Sequence, residues 1–237
     1  MKKIVRSVLK ILAGILVIAV VGFGLLYLVF NVPVPEGKEG AKADDLAKQM
    51  LRAIHLKQYQ QTRFLEWSFA GGAHCYKWDK TMGTVVVSWS DYVVRLDLNA
   101  SKNNNVKHQG ETVKGRKRQR AIRKAQDFFN NDSFWLVAPY KVFDKGTTRS
   151  IVPLEDGTEG LLVRYSMGGS TPGDCYLWEL NENGFPESYR MWVSIIPIGG
   201  IEASWDDWKM MPNGVYLPQS HSIGPINLDM GTLKAYN

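Results

Sequence analysis

The sequence feature that most constrains this chain is an uncharged apolar run from Ile11 to Phe30. Its twenty residues match the length that an α-helix needs to cross the roughly 30 Å hydrocarbon core of a bilayer. The ten residues before it hold four Lys or Arg residues and no acidic residue. By the positive-inside rule, this bias predicts a single-pass inner-membrane protein. Residues 1–31 would form a cytoplasmic tip and a transmembrane helix, and the rest of the chain would lie in the periplasm or extracytoplasmic space.

A cleaved secretory signal peptide is the alternative interpretation of the same run. Signal peptides have an apolar core of about 7–15 residues that ends at a cleavage site with two small residues. Here the apolar run is longer, and the Ala-x-Ala sequence from Ala41 to Ala43 lies well downstream. No Cys lies near the run, which argues against a lipid-modified N-terminus. We therefore expect the segment to be retained as an anchor.

The segment after the anchor predicts a short linker and then one domain. Residues 32–43 are rich in Pro, Gly and charged residues, which is typical of a solvated linker. A linker of that length reaches roughly 40 Å at most, so the domain stays close to its membrane. Residues 44–237 are long enough for one globular domain with a full core.

The charge of the exported part argues against nucleic acid as a partner. The formal net charge of the whole chain is +6, but four of the basic residues lie in the N-terminal tip. The exported domain is therefore close to neutral, whereas nucleic-acid binding needs a clear positive excess.

Hydrophobic periodicity divides the domain into helices and strands. An amphipathic helix is expected over residues 45–59, and a period of two that begins at Phe64 predicts four strands, at 64–69, 74–79, 84–89 and 92–98. A polar loop at 101–110 and a basic helix at 114–130 follow. Strands resume at 134–137 and continue to the C-terminal end, with two long strands expected at 201–209 and 226–235. The pattern predicts an α+β, mostly β, fold: a strongly curved antiparallel half-barrel of about eleven strands with two covering helices.

The expected basic helix has two interpretations. Seven Lys or Arg residues lie between Lys114 and Lys124. A solvated helical face explains them without a ligand. The alternative is contact with anionic lipid headgroups, in which each basic residue contributes about 1 kcal/mol near the surface.

No pattern typical of a catalytic or metal site is found in the sequence. The four histidines lie in no metal-ligand spacing, and neither a CxxC nor a GxSxG motif is present. The glycine-rich stretch from Gly168 to Gly173 leads into a strand and predicts a hairpin loop. We therefore expect no enzyme, no cofactor and no metal site. Cys75 and Cys175 are compatible with one disulfide outside the cytoplasm, and equally with two buried free thiols on strands.

One stretch carries a resemblance to a known family. The segment from Asn131 to Gly146, NDSFWLVAPYKVFDKG, resembles an N-D-x-x-W-L-x-x-P-[FY]-K motif of LolA-like domains, the lipoprotein-carrier superfamily. The order of elements is also similar: a helix, four strands, a helix, the motif and a further run of strands. The resemblance implies a curved half-barrel whose helices plug its mouth, with a cavity between them for acyl chains.

Because the anchor keeps this domain at its membrane, the resemblance implies a lipid or lipoprotein relay or sensing domain and not a diffusing carrier. Its partners would be the membrane and a lipid or acylated protein, and the sequence leaves the oligomeric state open. The alternative is a structural or protein-interaction module of the cell envelope whose sheet is filled by its own side chains. A cavity above roughly 300 Å³ with apolar walls would favour the binder.

The candidate ligand-binding residues are aromatic and Met side chains of the expected strands, the basic helix and the family motif. They are Trp78, Phe128, Phe129, Trp135, Tyr140, Trp178, Met191 and Trp192.

Overall fold

The N-terminal segment forms one long apolar helix. The computed structural model describes residues 2–237, with the backbone alone for residues 2–5, 7, 8 and 26. Helix α1 spans Lys2–Phe30, and its part from Leu9 to Phe30 is long and apolar enough to cross a membrane. Met1 of the predicted cytoplasmic tip lies outside the described residues. The structure therefore fits a single-pass anchor.

Residues 32–43 differ from the solvated linker that the sequence predicts. Strand β1 (Lys38–Glu39) pairs antiparallel with β8 (Thr147–Pro153). A Cβ on Gly37 would lie 2.6 Å from Cβ of Ser150, so only glycine permits this close approach. The segment is thus held along the sheet edge, and the domain begins almost directly at the end of α1.

The first helical segment of the domain is broken into two. Helix α2 spans Ala41–Ala53 and α3 spans Leu56–Gln61. Between them His55 has a left-handed φ of 62°, and its Nδ1 lies 2.8 Å from the Gly214 carbonyl oxygen. The expected single helix over residues 45–59 is therefore wrong at this point, because a left-handed residue ends an α-helix.

The first four predicted strands are confirmed and belong to a seven-stranded antiparallel sheet. Its strand order is β16-β2-β3-β4-β5-β6-β7. Two short strands, β6 and β7, lie where the sequence predicts a polar loop, because the chain turns after β5 and pairs back onto it. The strands are β2 (Phe64–Phe69), β3 (His74–Asp79), β4 (Thr84–Trp89), β5 (Tyr92–Asp97), β6 (Asn105–His108), β7 (Glu111–Thr112) and β16 (Lys234–Tyr236).

Helix α4 spans Gly115–Val137 and is followed by one 3-10 turn at Ala138–Lys141. The predicted strand at 134–137 is wrong, because these residues continue the helix. The helix packs against β4, β5 and β6 and reaches β14. It is the element that covers the concave face of the seven-stranded sheet.

The second half of the chain adds a six-stranded and a three-stranded antiparallel sheet. Their strand orders are β1-β8-β9-β10-β11-β12 and β13-β14-β15. The remaining strands are β9 (Glu159–Tyr165), β10 (Cys175–Leu180), β11 (Pro186–Trp192), β12 (Ile201–Ser204), β13 (Asp207–Met210), β14 (Tyr216–Ile223) and β15 (Ile226–Asp229).

The three sheets follow one another around a single core. Strand β12 lies against β14, and β15 lies against β2, where the Ser68 N–H donates to the Met230 carbonyl. The mostly antiparallel, curved architecture is thus as predicted, with sixteen described strands in place of about eleven. The difference arises because two long predicted strands each break in two and because short edge strands carry little sequence signal.

Candidate functional site

The half of the core under the six-stranded sheet is filled by the protein's own rings. Trp178 and Trp205 are fully buried and pack edge to face, with ring centroids 5.0 Å apart. Tyr189 packs against both. Of the predicted binding residues, Trp135, Tyr140, Trp178 and Met191 all lie in this packed interior. The open apolar cavity expected from sheet curvature is therefore absent from this part of the described chain.

Two further predicted positions lie on the opposite face of that sheet. Trp192 packs there, and its Nε1–H donates to the Val32 carbonyl at 2.7 Å. Cys175 is buried on the same face, whereas Cys75 is exposed on a strand of the seven-stranded sheet. Both cysteines are free, so the possible disulfide between them is not formed.

The seven-stranded sheet presents an apolar concave surface, here called the floor. Its residues are in cross-strand register, so that Val87 of β4 faces Tyr76 on one side and Val94 of β5 on the other. Such aligned apolar pairs give a continuous surface. The floor consists of Leu65, Trp67, Tyr76, Trp78, Val85, Val87, Val94, Leu96 and Val106.

The N-terminal half of α4 covers the floor mainly with small side chains. Between Gly115 and Phe128, the buried residues of the helix are Ala121 and Ala125, and Ile122 is partly buried against the core. Its outer side carries most of the basic residues of the segment. Lys117 and Lys124 lie over the rings of Tyr92 and Trp89, at 5.7 and 5.8 Å from their centroids. The helix therefore buries little apolar surface per residue here.

The C-terminal half of α4 is held by large side chains, and it brings three of the predicted residues together. Phe129 is buried and packs edge to face on Trp78, with ring centroids 5.3 Å apart. Phe128 is half-buried at the rim of the sheet and stacks on His74 at 3.6 Å between ring centroids. The predicted Trp78, Phe128 and Phe129 thus form one contact between helix and sheet.

A buried carboxylate fixes the same half of the helix. Asp132 is 2% exposed, and its Oδ2 accepts from the Tyr76 hydroxyl at 2.5 Å and lies 2.8 Å from Nδ1 of His74. Burial and the neighbouring Asp132 carboxylate raise the pKa of Tyr76, so its hydroxyl keeps the proton that it donates. The three side chains tie α4 to β3.

This His-Asp pair has no accompanying nucleophile among the described residues. Among the side chains that the structure describes, no Ser, Thr or Cys is hydrogen-bonded to His74. The search for groups of three or more His, Cys, Asp or Glu that could hold a metal ion also finds none in the described part of the chain. What the arrangement can do chemically is hold the helix in place.

An open groove of about 500 Å³ runs between α4 and the end of β5. Two of its residues, Leu98 and Phe129, are apolar, and the others are polar and mostly amides or hydroxyls. The groove is lined by Asp97, Leu98, Asn99, Ser101, Asn104, Gln126, Phe129 and Asn130. Its walls suit the polar end of a ligand better than an acyl chain, because polar groups there can hydrogen-bond and apolar contacts are few.

Two indole N–H groups of the floor lack an acceptor among the described residues. They are Nε1 of Trp67 and Nε1 of Trp78, and both rings contact Phe129. A buried donor without a partner costs about 1–3 kcal/mol. A molecule that enters between α4 and the floor could supply acceptor oxygens to these two groups.

Sequence reasoning missed Asp132, His74 and Tyr76 as a unit. His74 and Asp132 are 58 positions apart, and no spacing rule links them. Asp132 belongs to the motif segment, but its partners follow only from the way in which α4 crosses β3.

Comparisons with known proteins give little further information. No protein-family model matches this sequence, and no curated protein matches it. Among solved structures, the chain is similar to a DUF1329 family protein from Desulfovibrio piger ATCC 29098, at 9% sequence identity and a TM-score of 0.42. The similarity covers 81% of this chain and 92% of that chain. At this TM-score the similarity supports no conclusion about function, and the resemblance to LolA-like domains stays a prediction.

Proposed function

We propose that this chain is a membrane-anchored, extracytoplasmic domain that binds the acyl chain of a lipid or of an acylated protein between α4 and the floor. The observation that carries the proposal is the unequal packing of α4. Its N-terminal half covers an apolar floor with Ala121 and Ala125, whereas its C-terminal half is held by Phe129 and Asp132.

Displacement of the N-terminal half would open a surface suited to an acyl chain. The helix residues to be removed from the floor are two alanines and the partly buried Ile122, so less packing is lost than in the other half of the helix. Each methylene of a chain that replaces them gains about 0.8 kcal/mol on burial. A long chain therefore offsets the loss of the helix contacts, and its binding shifts the population toward the open state.

The polar end of the ligand would lie at the edge of α4. The groove provides amides and a hydroxyl there, including Asn104, Gln126 and Asn130. Basic residues on the outer side of the helix would attract an anionic headgroup. No chemical step is part of this proposal.

A second candidate is an interaction or structural module of the cell envelope. The observation that favours it is the interior under the six-stranded sheet, where Trp178, Trp205 and Tyr189 are fully buried and pack on one another. In that case α4 would stay on the floor permanently.

A photoreactive fatty acid that carries a diazirine on its chain separates the two candidates. Cells that make the full chain would incorporate it, and the labelled peptides of the purified protein would be identified by mass spectrometry. We expect adducts on α1, which control for labelling in the bilayer, and also on β4, β5 and the inner side of α4. Adducts confined to α1 would contradict lipid binding and favour the interaction module.

Val94 and Val93 provide a matched pair for the same experiment. They are neighbours on β5, but Val94 is fully buried in the floor and Val93 is 44% exposed on the other face. A hydroxyl placed in the floor by Val94→Thr disfavours an apolar ligand. We expect a several-fold loss of floor adducts with Val94→Thr and no change with Val93→Thr. Equal adduct yields in both variants would argue against a chain on the floor.

A further inference from the structure

The end of α1 is joined directly to the loop that follows β11. The Gly199 N–H donates to Oδ1 of Asn31 at 2.8 Å, and the Val32 N–H donates to the Gly199 carbonyl at 3.0 Å. The Nε1–H of Trp192 donates to the Val32 carbonyl at 2.7 Å. The first two residues after the apolar helix are therefore bound to residues 192–199.

Two glycines make this junction possible. A Cβ on Gly199 would lie 2.4 Å from Cδ1 of Trp192, and a Cβ on Gly200 would lie 2.7 Å from Cβ of Val32. Gly200 also has a φ of +79°, a conformation that disfavours other residues. The contact between the helix end and the loop is thus built into the backbone.

The same loop presents an apolar tip to the outside. No charged residue occurs from Val193 to Gly200. Ile195 is 70% exposed, the highest value among the large hydrophobic residues that the structure describes after α1. The turn is fixed by the Ile196 N–H, which donates to the Val193 carbonyl, and by the Ser194 N–H, which donates to Oδ1 of Asp174 at 2.9 Å.

We propose that the loop from Val193 to Ile198 inserts its Ile195 tip into the interface of the same bilayer that holds α1. A transmembrane helix that ends at Phe30 places Asn31 at the membrane surface, so a loop bonded to Asn31 lies at that depth. The transfer of an exposed aliphatic side chain at this depth from water into the lipid is favourable. The domain is then held at two points, and its orientation on the membrane is fixed.

This inference depends on the anchor and not on a ligand beneath α4. A negative result for lipid binding on the floor therefore leaves it intact, and the reverse also holds. The occupant is a lipid surface, because the loop continues directly from the membrane-spanning helix.

The test places a fluorophore at the tip of the loop in the full chain. In a Cys75→Ser background, an environment-sensitive NBD label on Ile195→Cys would be measured in vesicles of phosphatidylethanolamine and phosphatidylglycerol. Quenching by lipids with a nitroxide on the acyl chain reports insertion. The matched control is Met82→Cys, since Met82 is also apolar and 57% exposed but lies in a different turn.

We expect nitroxide quenching at position 195 to exceed that at position 82 several-fold. Equal quenching at the two positions would overturn the proposal. A blue-shifted label at position 195 without nitroxide quenching would also overturn it, because the tip would then be covered by protein. Both substitutions are at exposed positions, so unchanged thermal unfolding is expected and confirms that the variants are folded.

Discussion

At the scale of single residues, the most demanding position is Asp132. A buried carboxylate is tolerated only when its oxygens accept hydrogen bonds. Here Oδ2 has its donors on one strand, Tyr76 and His74, and Oδ1 accepts from Nδ2 of Asn131. The network therefore determines where α4 meets the sheet. Its energetic role can be measured directly.

We predict that Asp132→Ala destabilises the fold by about 2–4 kcal/mol, because it leaves two buried or half-buried donors without an acceptor. Tyr76→Phe removes one of the two hydrogen bonds and is expected to cost about 1–2 kcal/mol. The free energy of unfolding would be measured with urea on the full chain in detergent. Asp127→Ala, an exposed position on the same helix, is the control and should change little. A loss with Asp132→Ala no larger than that control would show that the network is dispensable.

His221 leads to a second prediction for a single residue, which concerns how the stability of the fold depends on pH. It is fully buried, and its two ring nitrogens lie 2.9 and 2.7 Å from the carbonyl oxygens of Ser204 and Trp135. Burial lowers the pKa of His221 below its usual value, although the two carbonyls and the nearby Asp206 and Asp207 act in the opposite direction. A lowered pKa means that the unfolded chain takes up this proton first as the pH falls.

We therefore expect stability to be complete above the ordinary histidine pKa of about 6.5 and to decline as the pH falls below it. The measurement compares the free energy of unfolding between about pH 7.5 and 5.5, a range that brackets that pKa. His221→Gln should show a smaller decline than the natural chain, since other titrating groups act equally in both. The same decline in both proteins would show that His221 does not contribute.

At the scale of elements, α4 differs between its two halves. Residues 129–137 of the helix include a buried aromatic, a buried carboxylate and a run of buried residues, whereas the preceding part buries two alanines. Because local stability follows buried contacts, the two halves should open with different free energies.

We predict that backbone amides of residues 117–125 exchange with deuterium faster than those of residues 129–137. Hydrogen exchange followed by mass spectrometry on the full chain measures both segments in one experiment. Equal protection of the two halves without ligand would contradict a helix that opens from its N-terminal end.

Strands that bury only one of their two faces could be predicted from the sequence. Apolar residues alternate cleanly in β2 and β4, so their bounds were predicted at Phe64–Phe69 and Thr84–Trp89 and are confirmed. The stretch 134–137 is rich in strand-forming residues, yet it is helical, because burial at positions 129, 132, 135 and 136 follows the helical period. Tertiary packing here overrides local propensity.

The candidate site was predictable only in part, for a related reason. The bulk of Trp78, Phe128 and Phe129 marked them as ligand or core residues, and the structure brings these three together. The part of the floor on β4, β5 and β6 is built from ordinary valines and one leucine. Nothing in a single sequence distinguishes valines beneath a loosely packed helix from valines in a permanent core.

At the scale of the whole molecule, the anchor and the rim of the floor lie at one end of the domain. The loop at residues 166–174 contacts the 193–200 loop through Asp174 and contacts α4 through Ser170, whose Oγ accepts from Nδ2 of Asn130 at 3.0 Å. The end of α1 is bonded to the 193–200 loop. A lipid leaving the bilayer would therefore meet this end of the domain first.

This arrangement requires that the N-terminal helix is retained, and we predict that it is not cleaved. Asn31 and Val32 make the hydrogen bonds of the junction, so cleavage near the end of the apolar run would remove part of the domain's own packing. We expect the chain in the membrane fraction to have its full mass of 26.8 kDa and to resist extraction by alkaline carbonate. Alkaline phosphatase fused after Asn237 should be active, and green fluorescent protein fused there should be dark, because the charge bias places the domain outside the cytoplasm. A fluorescent C-terminal fusion would contradict the predicted orientation. A mature chain that begins near residue 32 would remove the anchor, and with it the basis for placing Ile195 at a membrane surface.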